Sequence, residues 1–469
     1  MIKKLPNNKK ILFSADGAEF ILDESLRELP GRRRVCRGVW KKRYAVAKLF
    51  LDPRKARRHW AREKRGMEAL QNAGVATPEL FFCGVTSEGT PVLVLSHLPD
   101  ANTALDIWEC SESEHKTVLL RQLAGMVGRM HEAGLVQEDL HLENFLVSEN
   151  KIYAIDGDAI HIRKAGKPLD LKESSRNLSL LFAQITPVHD DLIEIAAKDY
   201  ATQRNISCQY LPEQLKCDLP AVRRRRRHKY VQKCSRTCSE FVRTMRNGRI
   251  AVFRRDLQGE MLTCFLDDPE AFMQRGEFLK DGITSTVVRV RGDGYDWVVK
   301  RYNIKGPYHA ISRCFRPTRA WTSWLNSHRL KISGIATPRA VAVVEKRFGP
   351  LRSTGYYVCD FVEGKHAKDV FANDVMPDTE RELLAEKFVV LFGLFFKLKI
   401  SHGDCKAHNF LFKDNQLWVL DLDAMQECST AVGFKRLFHI DRLRFLRNWE
   451  TQPELQQWFD EHLPEKGRQ

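Results

Sequence analysis

One short constellation occurs twice in this chain at a fixed separation. Asp139-Leu-His-Leu-Glu-Asn144-Phe-Leu is followed by Ile155-Asp156-Gly-Asp158, and Asp404-Cys-Lys-Ala-His-Asn409-Phe-Leu by Leu420-Asp421-Leu-Asp423. The differences 404−139, 409−144 and 421−156 all equal 265. Three fixed residues at roughly one in twenty each arise by accident about 0.06 times in such a length, and a second copy with the same spacing lowers that to about 0.002–0.004. Asp, Asn and Asp in this order are what phosphoryl transfer uses to aim a hydroxyl and hold a metal–nucleotide. The repeat therefore predicts two phosphotransferase modules in one chain.

The length of 469 residues exceeds one ordinary core and suits several domains. A hydrophobic content of 43% marks a globular protein, and the net charge of +16 favours anionic partners. The 12 cysteines contain no CxxC pair, which points to reduced structural thiols rather than a zinc site. Met1–Lys10 is charged and lacks the apolar stretch of a secretory signal. The most apolar run, Phe388-Val-Val-Leu-Phe-Gly-Leu-Phe-Phe396, is shorter than the about 20 residues a spanning helix needs, so it reads as a buried helix.

Both halves repeat one order of elements. In the first, Lys10-Ile-Leu-Phe-Ser and Ala18-Glu-Phe-Ile-Leu flank the turn-prone Asp16-Gly17, and Arg43–Phe50 alternates as a strand does. A basic amphipathic helix covers Arg54–Ala73, strands follow at Phe81 and Pro91, and a helix over Val118–Ala133 ends at Gly134. After the Asp–Asn loop come the strand Lys151–Asp156 and helical material from Glu173 to Ala197. In the second half, Thr286–Arg291 and Asp296–Tyr302 form a hairpin around Gly292-Asp-Gly294. A basic helix follows over Arg319–Ser333, a strand at Tyr356, a long helix over Leu384–Lys399 and the strand Gln416–Asp421. Between the halves lies Arg223-Arg-Arg-Arg-Arg227-His-Lys229, a charge run of the kind that is usually a solvated linker or exposed helix face. The domains read as 1–235, closing on this segment, and 236–469.

Lys48 and Lys300 each end an apolar-alternating strand and precede a basic helix, the position from which a lysine bridges nucleotide phosphates. Asp139 and Asp404 are the candidate hydroxyl-orienting bases, and Asn144 and Asn409 reach a metal from the same loops. Asp156 and Asp421 end buried strands, where a carboxylate is costly unless a cation binds it, and Mg²⁺ suits such a site. Asp158 and Asp423 read as turn residues.

This order resembles the protein-kinase-like fold, and its details resemble the lipopolysaccharide core heptose kinase family. The likeness rests on Trp297-Val-Val-Lys300-Arg-Tyr, Arg319-Ala-Trp321, Gly334-Ile-Ala-Thr-Pro338, His402-Gly-Asp404 through Asn409, and Leu420-Asp421-Leu-Asp423. The first half carries it more loosely, through Lys48, Val75-Ala-Thr-Pro78, Asp139, Asn144 and Asp156. The resemblance implies an α+β chain of two tandem bilobal domains, each a small antiparallel sheet lobe plus a mainly helical lobe. It implies an ATP- and Mg²⁺-dependent enzyme that phosphorylates a core sugar, a heptose, at the cytoplasmic face of the inner membrane. Peripheral contact with anionic lipid fits that setting, and no nucleic acid is expected.

The chain departs from the kinase pattern at four places. Neither half has GxGxxG; Gly31–Gly38 and Asp281–Thr286 stand in its place. Glu63 can pair with Lys48, whereas the residue 260 positions later is Ser323. The first loop opens Gln137-Glu-Asp139 where the second has His402-Gly-Asp404. His141 stands where the second half has Lys406, a residue suited to touching the transferred phosphate. The same catalytic set also serves a kinase for protein or another small molecule, or a partly degenerate scaffold for core assembly.

Overall fold

The computed structural model describes residues 10–207, 210–303, 316–349, 351–372 and 377–464, so the charged N-terminal segment lies outside it apart from Lys10. The chain divides into two compact units, residues 1–185 with 189–223, and residues 186–188 with 224–469. Each is a sheet lobe followed by a mainly helical lobe.

The sheet of the first unit contains β1 (Lys10–Ala15), β2 (Ala18–Leu29), β3 (Arg33–Trp40), β4 (Arg43–Phe50), β5 (Leu80–Val85) and β6 (Pro91–Ser96), in the antiparallel order β1-β2-β3-β4-β6-β5. Asp16 and Gly17 both take positive φ, of 47° and 66°, which gives the twist a two-residue hairpin needs. The Ala56–Asn72 helix crosses from β4 to β5 and buries Glu63, Gly66, Met67 and Leu70. Phe20, Trp40, Ala47 and Val94 belong to the sheet-lobe core, while Leu70 joins the separate core of the helical lobe around Leu123, Phe145 and Phe182. In that lobe β7 (Asn102–Thr103), β9 (Phe145–Ser148) and β10 (Lys151–Ala154) form one small sheet, and β8 (Leu135–Gln137) pairs with β11 (Ile160–Ile162).

The second unit has β12 (Phe241–Arg246), β13 (Arg249–Arg254), β14 (Glu277–Asp281), β15 (Ser285–Gly292), β16 (Tyr295–Tyr302), β17 (Ala340–Phe348) and β18 (Leu351–Asp360), in the order β12-β13-β17-β18-β16-β15-β14. The order β14-β15-β16-β18-β17 matches β2-β3-β4-β6-β5 of the first unit. The additions differ: the first unit extends one edge with β1, the second extends the opposite edge with β12 and β13. The helical lobe repeats the short strands as β19 (Lys365–His366), β20 (Ile400–Ser401), β21 (Phe410–Lys413), β22 (Gln416–Val419) and β23 (Gln426–Glu427). Its core is an aromatic cluster in which Phe388 and Phe392 of the Asp378–Leu398 helix meet Phe410, Phe445 and Phe459. Truncating one such ring to alanine costs about 3–5 kcal/mol.

Three expectations change. The helical stretch Glu173–Ala197 is two helices, Leu171–Phe182 and Asp190–Gln203, with a short turn at Pro187–His189 between them. The hairpin β12–β13 and the helices Glu260–Asp267 and Pro269–Gln274 had no counterpart in the sequence reading. The arginine run is an exposed helix face only in part: it lies within the Tyr210–Lys233 helix, with Arg224 and Arg225 exposed and Arg227 buried. Arg223 pairs with Asp190 at 2.7 Å in the first unit. Arg227 is buried in the second unit, on Glu427 at 2.6 Å, where Arg329 joins from 3.2 Å. The Arg223–Arg224 step is also where the two units divide.

Candidate active sites

In the first unit the alternation of β4 carries Lys48 to the buried side, 7% exposed. Its ammonium bonds Glu63 at 2.5 Å and the carbonyl of Ile155 at 2.5 Å. Arg33, from the strand that follows the β2–β3 turn, holds the other Glu63 oxygen at 2.7 Å. Burial alone would keep Glu63 protonated, but Lys48 and Arg33 outweigh it and hold the carboxyl at about 2. Asp156 lies within hydrogen-bonding reach of Glu63, and burial together with that negative neighbour pushes it up to about 6.

The Ala56–Asn72 helix is locked onto this site. A Cβ on Gly66 would come within 1.9 Å of the Gly157 carbonyl oxygen, and one on Gly157 within 2.3 Å of the Glu63 carbonyl oxygen. Only two glycines permit this approach. Asp158 completes the lock, with His59 at 2.8 Å and Arg62 at 3.1 Å on its carboxylate.

In the second unit Lys300 takes the equivalent place on β16 and has different partners. Ser323 occupies the helix position of Glu63, is buried, and bonds Tyr302 at 2.8 Å. Lys300 turns to Asp421 at 2.5 Å and Asp423 at 3.4 Å. Burial works against a charge on Asp421, yet Lys300 more than offsets it and holds the carboxyl below the usual range. Asp421 also has φ of 52°, whereas Asp156 has no positive φ. A non-glycine residue in that region is uncommon and clusters at functional sites.

The two loops share a frame. Asn144 donates from Nδ2 to the Asp139 carbonyl at 2.9 Å, and Asn409 to the Asp404 carbonyl at the same distance and to the Asp404 carboxylate at 3.2 Å. The backbone of each Asn then bonds the residue before the strand Asp, through Ile155 and Leu420. Each loop is also tied to a helix that follows it. Gln184 accepts from the Leu142 amide at 3.0 Å and donates to the Leu140 carbonyl, and Asn448 does the same for Ala407, at 3.1 Å, and Cys405.

Seven residues before these anchors, at 441 and 177, the units part. Asp441 is 2% exposed and accepts from Ser401 Oγ at 2.7 Å, the His402 amide at 2.7 Å and the Gly403 amide at 2.9 Å. His402 in turn spans from the Asp404 amide at 3.3 Å to the Leu420 carbonyl at 3.0 Å. The first unit has Asn177 in place of Asp441, bonded to the Gln137 carbonyl at 2.7 Å and His131 at 3.0 Å. Gln137 stands in the place of His402, and among the described residues neither polar atom of its buried amide group finds a partner.

Asp404 is half-buried between two cations, Lys406 at 3.3 Å and Arg444 at 3.5 Å, and Arg444 also bonds the Gly403 carbonyl. Asp139 is exposed and has His141 and Leu180 at the matching positions. Arg33, Arg62, Asp441, Arg444 and Asn448 were not picked from sequence. The separations 441−177 and 448−184 both equal 264, so the duplication itself held a signal for the loop anchors.

The donor sets fit Mg²⁺. Each loop Asn directs its amide nitrogen to the Asp, which leaves its oxygen for a cation, and Asp421 has one carboxylate oxygen on Lys300. Mg²⁺ takes few protein ligands and fills the rest with phosphate oxygens and water. Among the described residues no group of three or more His, Cys, Asp or Glu is arranged to hold a metal by itself.

Comparison with known sequences brings a family to this geometry. The profile of the lipopolysaccharide kinase (Kdo/WaaP) family matches residues 34–202 and 276–458. The chain belongs to this family. Its match to the KEOPS complex subunit Bud32 of Pyrococcus abyssi (strain GE5 / Orsay) is 28% identical over 116 residues, a quarter of the chain, and spans about half the length of that relative. A solved structure of WaaP in complex with acyl carrier protein aligns at 22% identity and a TM-score of 0.34, over 44% of this chain and 89% of that one. The PknI kinase domain of Mycobacterium tuberculosis aligns at 15% identity and a TM-score of 0.30, over 46% and 99%. The chain is thus a member of a kinase family. Among its described residues no helix is long and apolar enough to cross a membrane.

Proposed function

We propose that this kinase transfers phosphate from Mg²⁺-bound ATP to a hydroxyl of a lipopolysaccharide core sugar, a heptose, and that residues 236–469 carry the main activity. Asp404 and Lys406 are its catalytic residues, Lys300 binds nucleotide, and Asn409 and Asp421 bind the metal. In residues 1–235 the corresponding set is Asp139 as catalytic base, Lys48 and Glu63 toward the nucleotide, and Asn144 and Asp156 toward the metal. The work takes place on a core intermediate at the cytoplasmic face of the inner membrane.

The observation that carries the assignment to the second unit is the setting of Asp404. Its loop is pinned by the Asp441 carboxylate, and its side chain sits between Lys406 and Arg444. When bound, the magnesium–nucleotide supplies the phosphoryl group and neutralises its charge. Asp404 orients the acceptor hydroxyl and takes its proton as the new P–O bond forms and the bond to the departing diphosphate breaks. Lys406 neutralises charge on the group in transit, and Lys300, released from Asp421, holds the phosphates. Asn409 keeps the loop in register by bonding Asp404 twice.

A weaker first module is favoured by one further observation. Among the described residues Gln137 leaves a buried amide group unpaired two positions before Asp139. The test uses labelled ATP with Mg²⁺ and either dephosphorylated core oligosaccharide or a protein mixture as acceptor. Label must enter the oligosaccharide and depend on Asp404. Label entering protein alone rejects the sugar acceptor and leaves a protein kinase of the same fold.

A further inference from the structure

We propose that the outer face of the Ala431–Leu446 helix docks the second unit on a lipid surface of anionic headgroups, next to the loop that holds Asp404. This rests on the proposed function only in giving Asp404 its role. The helix has two unlike faces. Its inner face buries Phe434, Phe438 and Phe445 in the aromatic core. Its outer face presents Val432, 82% exposed, with Ile440 at 43% and Leu443 at 40%. Between them stand exposed Lys435, Arg436 and His439.

The charge on this face has one sign. Asp441 is the sole acid in the helix, and it is buried against the catalytic loop. Neither Lys435 nor Arg436 pairs with a carboxylate among the described residues. A solvated helix ordinarily mixes both charge signs and keeps its aliphatic residues inward. Exposed aliphatics alternating with unopposed cations are what an interfacial helix uses, apolar side chains entering between headgroups and cations meeting phosphate. An acidic protein patch would match the charges but offers no reason for three exposed aliphatic side chains.

The same chain contains a comparison helix. Leu171–Phe182 takes the equivalent place in the first unit, tied to its own loop through Asn177. It exposes Lys172 and Arg176 and no large aliphatic side chain. The lipid face is therefore a feature of the second unit and not of the helix position.

Position links this face to chemistry. Arg444, which touches Asp404, follows Leu443 directly and lies one turn beyond Ile440. A helix rises about 5.4 Å per turn, so a docked surface lies close to the catalytic loop. A sugar acceptor anchored in the bilayer reaches Asp404 without leaving it.

The experiment is flotation of the full chain with phosphatidylcholine vesicles, with and without phosphatidylglycerol. The wild type is expected to float only with phosphatidylglycerol and to be released by high salt. Lys435→Glu with Arg436→Glu should lower partitioning about twentyfold or more, given about fivefold per lost cation near an anionic surface. Ile440→Ser with Leu443→Ser should lower binding while preserving its salt dependence. Lys172→Glu with Arg176→Glu should bind as the wild type does. Wild type that ignores phosphatidylglycerol, or second-unit variants that float unchanged, overturn the proposal. Phosphate transfer to a soluble acceptor is read in parallel. If it is absent while vesicles bind, the functional reading fails and this inference stands.

Discussion

Lys48 and Lys300 project from equivalent strands and find different partners. Lys48 meets a helix glutamate and a backbone carbonyl, both fixed by the glycine-to-glycine contact behind them. Lys300 meets the strand aspartates, because its helix offers Ser323. The loops show the opposite balance. The second is pinned by a buried carboxylate and flanked by cations, and the first is held by an amide with a neighbour left unpaired. One unit thus keeps a lysine paired with a helix glutamate, and the other keeps a loop pinned by a buried carboxylate.

The largest expected effect separates the loops. Asp404→Asn should lower transfer about 10²–10⁴-fold, the usual contribution of a positioned base, while Asp139→Asn should change it far less. Steady-state transfer of labelled phosphate reads both, and equal losses would break the assignment to the second unit.

Next comes the nucleotide-side pair. Glu63→Ala strands a buried Lys48 and should cost about 3–5 kcal/mol of stability in the first unit, read by denaturant titration at neutral pH. The folded carboxyl sits at about 2 against an ordinary 4.5. Its contribution is therefore complete above about 4.5 and fades as pH falls through 2. A wild-type advantage that persists undiminished near pH 2 would show that the ion pair is not its source.

Two buried histidines sharpen the comparison. His131 in the first unit bonds Tyr200 and Asn177, whereas His328 in the second lies among Trp324, Phe241 and Tyr230 with both ring nitrogens unpaired among the described residues. Burial lowers His328 from 6.5 to about 3. The folded state refuses a proton that the unfolded chain accepts. Stability is therefore full above about 6.5 and falls by up to about 1.4 kcal/mol per pH unit as pH drops toward 3. His328→Phe should remove that slope, giving a relative gain of about 2–3 kcal/mol at pH 4.5 in parallel denaturation curves. Parallel slopes for the two proteins would refute it.

The smallest expected effect falls on Arg444. Replacing it with leucine, the first unit's residue, should lower turnover about three- to tenfold, because one charge-assisted contact to the catalytic loop is lost. An unchanged kcat with a raised acceptor KM would move Arg444 from positioning Asp404 to binding the acceptor.

Much of the fold was legible because it rests on local pattern. Alternation marked β4 and β16, turn residues marked the Asp16-Gly17 hairpin, and the Asp–Asn–Asp spacing marked both loops. Lys48 bonds the Ile155 carbonyl next to Asp156, and Ile155 bonds the Asn144 backbone; Lys300 bonds Asp421, and Leu420 bonds the Asn409 backbone. The β12–β13 hairpin was not legible, since Phe241–Arg254 carries many arginines and its partner, β17, lies almost ninety residues on. The arginine run misled because Glu427, which fixes Arg227, is 200 positions away.

The sequence alone determined that there are two copies, the order of their elements and the acids available to each, because periodicity and spacing are properties of neighbours along the chain. Tertiary structure alone decided which partner each charge found. Glu63, Asp421 and Asp441 are similar carboxylates in sequence. One clamps a lysine from a helix, one holds a lysine across the site and one pins a backbone loop, because a buried carboxylate must take whichever cations or amides lie within its reach.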